Sequence, residues 1–170
     1  MSYSGKQFEQ NFKDSFKGSP YDKGLMRLFD VTSGYSGQAT ICDFLLYSYP
    51  NLFYLELKAE KTANLPFSNI TRHQYEGLLE KADYKGAIPG IIVYYYTYDC
   101  MYFIPITVIR DIKAQGRNSI NIDMCEKYAM PVVFRKKRVN VVIDTVSFVK
   151  DAKDFKSPEI NLKEDKFVKN

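Results

Sequence analysis

Residues 88–109, IPGIIVYYYTYDCMYFIPITVI, constrain the fold more than any other stretch of this 170-residue chain. A run so long and so apolar has two outlets, a membrane-spanning helix or buried strands. Pro89, Gly90, Asp99 and Pro105 interrupt it, and β-branched residues and tyrosines dominate it. Such residues suit a pleated sheet and penalise a helix. The stretch is therefore read as two strands joined near Tyr98-Asp99, and no membrane partner is expected.

Around these strands the hydrophobic spacing changes period. Phe8, Phe12 and Phe16 stand four apart, which makes one apolar stripe on a helix over residues 5–17, closed by Gly18, Ser19 and Pro20. Gly24 to Val31 reads as a short strand, followed by a loop around Gly34 and Gly37. Strands are predicted over 41–47 and 52–60, split by the turn Tyr49-Pro50-Asn51. A loop over 61–70 leads into a helix from Thr71 to Lys85 with Tyr75, Leu78, Leu79 and Ala82 inward. A further helix is expected near 107–114, and 120–128 reads as short and irregular. The apolar run Val139 to Val149 holds the last strand.

Without strict alternation of strand and helix, this order predicts an α/β (α+β) mixed sheet flanked by helices. The length supports one core, so residues 1–150 are read as a single domain. Residues 151–170 are a highly charged tail, read as frayed or as an exposed helix.

Composition narrows the function classes. The net charge is +4 with a pI near 8.8, which suits a nucleic-acid ligand without requiring one. Cys42, Cys100 and Cys125 are far apart, with no CxxC pair, and His73 is the lone histidine. That set argues against a disulfide framework and a structural zinc site, and the expected setting is a reducing cytoplasm. The start, MSYSGKQFEQ, is polar, so no signal peptide is expected.

The chemistry concentrates in Leu52-Phe53-Tyr54-Leu55-Glu56-Leu57-Lys58-Ala59. Alternate side chains of a strand share a face, so Glu56 and Lys58 point the same way. A charged pair in so apolar a strand is costly unless something compensates it. Two readings stand: a solvated ion pair, or part of a site for Mg²⁺, a hard cation that prefers carboxylate oxygen. Asp43, thirteen residues before Glu56 on the preceding predicted strand, could supply a second carboxylate. Lys58 could then orient a water or neutralise a phosphate in phosphodiester hydrolysis.

With Thr40-Ile41-Cys42-Asp43, Leu55-Glu56-Leu57-Lys58 and His73-Gln74 in place, the chain resembles the RecU family of Holliday junction resolvases and their phage-borne relatives. The resemblance runs from about Gly5 to Ile143 and is clearest between residues 40 and 82. It implies a restriction-endonuclease-like PD-(D/E)xK fold and an endodeoxyribonuclease that cuts four-way junctions symmetrically as a homodimer in the bacterial host cytoplasm. It further implies that Asp43 and Glu56 bind Mg²⁺, or Mn²⁺ in its place, and that Lys58 stabilises the transition state. Gln74 and the carbonyl of Leu57 would complete the metal shell, and Glu9 resembles an auxiliary acid. Gln74 has a second reading, since Thr71-Arg72-His73-Gln74 fits a capping box.

Two departures from the family accompany this. Ile41 stands where a hydroxyl residue is usual, and only Val31 to Cys42 occupies the place of a long stalk. The resemblance thus implies nuclease chemistry more directly than junction selectivity, and the short segment points towards a phage relative. The alternatives are a nuclease of the same fold acting on other branched or duplex DNA, and a non-catalytic DNA-binding module. For DNA contacts the candidates are Lys61 and Arg72, which flank the loop between the 52–60 strand and the next helix, His73 at the start of that helix, and Lys6, Lys13 and Arg27 in the N-terminal part. The run Arg135-Lys136-Lys137-Arg138 is either a phosphate clamp or a solvated turn.

Overall fold

The computed structural model of the chain describes residues 3–30 and 39–163. The loop expected around Gly34 and Gly37 lies outside them. Helix α1, Gly5–Phe16, opens on Ser4, whose side chain accepts the Gln7 amide at 3.2 Å. Phe8, Phe12 and Phe16 are fully buried along its inner stripe, each contributing about 2 kcal/mol of burial. Strands β1 (Leu25–Arg27), β2 (Phe44–Ser48) and β3 (Asn51–Glu60) follow, then the short β4 (Asn64–Pro66) and helix α2 (Arg72–Lys81).

The apolar stretch that opened the sequence reading forms β5 (Ala87–Tyr95) and β6 (Cys100–Pro105), with Asp99 in the turn at φ 52°. Helix α3 (Ile106–Ala114), β7 (Ser119–Asn121), α4 (Ile122–Tyr128), β8 (Met130–Pro131), β9 (Phe134–Lys137), β10 (Asn140–Ile143) and α5 (Thr145–Asp154) complete the order. Among the described residues no helix is long and apolar enough to cross a membrane.

Six strands form one sheet in the order β1-β2-β3-β5-β6-β8. Among the described residues only β3 and β5 run parallel, from Leu52 opposite Ala87 to Glu60 opposite Tyr95, with α2 in the crossover between them. Helices α1 and α5 cover one face through Phe12, Phe16, Phe148 and Val149. The other face carries α2, α3 and α4 through Leu78, Ile109, Ile112 and Met124. This is the mixed sheet flanked by helices that the sequence predicts. Gly90 sits at its centre because a Cβ there would meet Phe103 Cε2 at 2.5 Å and the Ile104 carbonyl at 2.6 Å.

Several local expectations differ from the structure. The strand expected over Gly24 to Val31 covers only Leu25–Arg27. The loop 61–70 contains β4, which pairs with β7 at Leu65 opposite Ile120. The irregular 120–128 is mostly α4, started by Asn121, whose side chain accepts the Met124 amide at 2.9 Å. The run Val139 to Val149 divides into β10 and α5, because Asp144 accepts the Ser147 amide and begins a helix. Beyond α5 the chain returns along α3, where Gln115 receives the Leu162 amide at 2.8 Å. Leu162 is buried there.

Candidate active site

The site forms where β3 outruns its neighbour β2. Their ladder extends from Ser48 opposite Asn51 to Phe44 opposite Leu55, so Leu57 has no β2 partner for its amide. Asp43 takes that place, accepting the Leu57 amide on Oδ2 at 2.8 Å. Its own backbone is fixed from both sides, donating to the Leu55 carbonyl at 3.0 Å and accepting from the Leu28 amide at 2.8 Å. The carbonyl of Leu57 leaves β3 on the same side as its amide, towards Asp43.

Glu56 projects from the opposite face of β3 to Leu57, yet is only 3% exposed. Its Oε1 accepts from Gln74 Nε2 at 2.7 Å and pairs with Lys58 Nζ at 2.8 Å. Its Oε2 is buried without a partner. An unpaired buried carboxylate oxygen is expensive and points to a missing ligand. Gln74 also closes the capping box of α2, since its Oε1 accepts the Thr71 amide at 3.0 Å and Thr71 Oγ1 accepts the Gln74 amide at 3.2 Å. The capping geometry and the contact to Glu56 coexist because they use different ends of one amide.

Burial, reinforced by the charge of Asp43, pushes the Glu56 carboxyl up to about 7 despite the opposing charge of Lys58. Burial likewise raises Asp43, against the Leu57 amide, with Glu9 adding to the rise. Two carboxyls that both resist ionisation side by side are suited to receive a cation. Among the described residues no three of His, Cys, Asp and Glu gather into a ready cage. Mg²⁺ does not need one, because it keeps several waters and takes only one or two carboxylates. The all-oxygen donors and the orphan Oε2 therefore fit that ion. Cys42, adjacent to Asp43, is no nucleophile: burial drives its thiol up to about 12.

Other residues singled out in the sequence fall at varied distances from this centre. Glu9 on α1 pairs with Arg27 on β1, and both charges act on Asp43. Arg27 is thereby half-buried among acids and aromatic rings, 5.0 Å from the Phe29 centroid, rather than on an open surface. Arg72 pairs with Glu76 at 2.7 Å on the exposed side of α2, and His73 Nε2 lies 2.9 Å from the Ala39 carbonyl. Lys61 is exposed just past the end of β3. The basic run 135–138 lies on the separate β9–β10 hairpin. Sequence reasoning missed Gly77, whose lack of a side chain lets α2 approach Ile41, two residues before Asp43. A glycine inside a helix, where it costs stability, was the available signal.

Against known proteins, the family model RecU, recombination protein U, matches residues 20–151. No curated protein matches the sequence. Among solved structures the chain is similar to Hjc of Archaeoglobus fulgidus, described as a Holliday junction resolvase from an archaeal hyperthermophile. The TM-score is 0.53 at 16% identity, covering 75% of this chain and 95% of that one. The likeness is one of fold, and the fold is the restriction-endonuclease-like PD-(D/E)xK arrangement expected from the sequence.

Proposed function

The chain belongs to the RecU (recombination protein U) family, and we propose that it is a Mg²⁺-dependent endonuclease that resolves four-way DNA junctions by paired, symmetric cleavage. The observation that carries this reading is the buried Glu56 carboxylate, with one oxygen held by Gln74 and Lys58 and the other without a partner. A purely DNA-binding module gains nothing from such a group and bears its cost.

The Asp43 carboxylate, the partnerless Glu56 Oε2 and the Leu57 carbonyl are the groups that would hold the ion. Bound there, Mg²⁺ would lower the pKa of a coordinated water and offset charge on the phosphorus centre; Mn²⁺ offers the same chemistry. The Leu57 amide keeps Asp43 oriented before any substrate arrives. Gln74 keeps Glu56 from rotating, and its cap ties that restraint to the start of α2. Lys58 brings a fixed positive charge to the strand face where a phosphate would lie, so little reorganisation is needed as charge develops. Glu9 and Arg27 adjust the field at Asp43 from the α1 side. Lys61, Arg72 and His73, at the mouth of the site, are the proposed contacts to flanking phosphates.

A four-way junction offers two equivalent strands, so paired cleavage calls for two sites related by a two-fold axis and hence a homodimer. The Hjc fold likeness and the family membership support the junction as substrate. The test is incubation of the purified protein with a synthetic four-way junction and with linear duplex, in Mg²⁺ or in EDTA. Symmetric nicks on the junction alone, abolished by EDTA, are expected. Equal cutting of duplex would reassign the substrate, and binding without cleavage in both Mg²⁺ and Mn²⁺ would defeat the enzymatic reading.

A further inference from the structure

We propose that the β9–β10 hairpin is a separate DNA-phosphate contact, which uses Arg135, Lys137 and Arg138 to hold a duplex arm outside the cleavage site. The inference rests on the reading of the chain as a DNA enzyme and extends it to a surface remote from the carboxylates.

Strand alternation divides the basic run into two faces. Phe134 and Lys136 share a face with their partners Ile143 and Val141, both buried, although the Lys136 side chain is still 47% exposed. The Phe134 ring lies edge-on to Tyr94 with centroids 5.4 Å apart, and Lys136 pairs with Asp99 in the β5–β6 turn. Arg135 and Lys137 therefore occupy the outer face, opposite Val142 and Asn140, with no acid across from them. Arg138 stands in the turn at φ 57°, a left-handed conformation that ordinarily favours glycine. All three are exposed, and none has an ion pair among the described residues. By contrast Arg27, Lys58, Arg72 and Lys136 are all paired. The nearest acid in sequence, Asp144, is committed to the Ser147 amide and hydroxyl.

The hairpin is also fastened in a useful place. Gln7 on α1 donates to the Val139 carbonyl at 3.2 Å, two residues before Glu9. The β5–β6 turn that holds Lys136 adjoins the end of β3, because the Tyr96 amide donates to the Glu60 carbonyl at 3.1 Å. The β5–β6 turn thus meets the end of β3 that carries Lys58, while the hairpin itself packs on the α1 face of the sheet, opposite the face from which Lys58 reaches Gln74 on α2. A braced two-stranded ribbon with cations at alternate positions, roughly 6.6 Å apart along the strand, suits the repeating phosphates of a duplex better than a single anion.

The test is the salt dependence of binding to a labelled four-way junction and a labelled duplex in EDTA, where nothing is cut. Each phosphate contact contributes about 0.9 to the slope of log affinity against log salt. The variant R135Q/K137Q/R138Q should lose roughly 2 to 3 from that slope on both DNAs, with its melting temperature retained. K136Q removes a cation already paired with Asp99, so it should leave the slope unchanged. R138G keeps the turn in a conformation glycine favours, so it provides a well-folded second variant and should lose about 1. An unchanged slope in the triple and R138G variants, or a loss in K136Q equal to that of the outer cations, would overturn the assignment. A parent chain that binds DNA but never cuts it would defeat the enzymatic reading alone and leave this test intact.

Discussion

Gln74 holds Glu56 with one end of its side-chain amide and caps its own helix with the other, although the two residues are eighteen apart in sequence. Strand β3 and the helix α2 that follows it are thereby joined at the carboxylate itself.

The two functions of Gln74 can be separated by substitution. Thr71→Ala removes only one half of the cap and should cost about 1 kcal/mol. Gln74→Ala also strips a buried carboxylate of a charge-assisted bond, so it should cost about 2–3 kcal/mol. Urea unfolding in EDTA measures both. Equal losses would mean that the bond to Glu56 contributes nothing to stability.

The raised Glu56 carboxyl predicts how stability depends on pH without metal. Its ordinary value is 4.5 and its folded value about 7. The native state therefore binds the proton more tightly than the unfolded chain, and stability falls as pH rises from about 4.5 to 7, then levels. The fall is about 3 kcal/mol; Asp43, shifted the same way by burial, gives a fall that begins at lower pH, from its ordinary 3.8. Glu56→Gln carries no such proton. In EDTA its stability should fall less steeply over this window than that of the parent, and parallel curves would contradict the assignment.

Gly77 lets α2 pack against the segment that leads to Asp43. A Cβ there would sit 2.4 Å from Ile41 Cγ2 and 2.8 Å from Ile41 Cβ, so the segment leading to Asp43 would have to shift. Gly77→Ala should cost about 1–3 kcal/mol and slow single-turnover cleavage about 10- to 100-fold, with DNA binding little altered. The double variant I41A/G77A should recover part of the rate. A Gly77→Ala protein that cleaves at the parental rate would show that this approach does not position Asp43.

Much of the site was legible because it is local. Period-two alternation put Glu56 and Lys58 on one strand face, and the spacing Thr71-x-x-Gln74 announced a capping box that the structure contains. What was hidden depends on partners far away in sequence. Arg27 looked like a free cation until Glu9 was found beside it. The basic run looked uniform until the register put Lys136 on the face that meets Asp99 and Arg135 and Lys137 on the other. Val139 to Val149 read only as an apolar run holding the last strand, because such a run does not reveal its own period, and the Asp144 cap divides it into β10 and α5. The closeness of Gly77 and Ile41 is a property of the packed fold alone.

The central claim is that Glu56 serves phosphodiester cleavage rather than DNA binding or folding. Its most direct test compares the parent with Glu56→Gln on one labelled four-way junction, reading cleavage in Mg²⁺ and affinity in EDTA from the same preparations. The account predicts that cleavage is lost by at least about a hundredfold, as expected for loss of a metal-holding catalytic group, while affinity stays within a few-fold. A Glu56→Gln protein that nicks the junction as fast as the parent would contradict it.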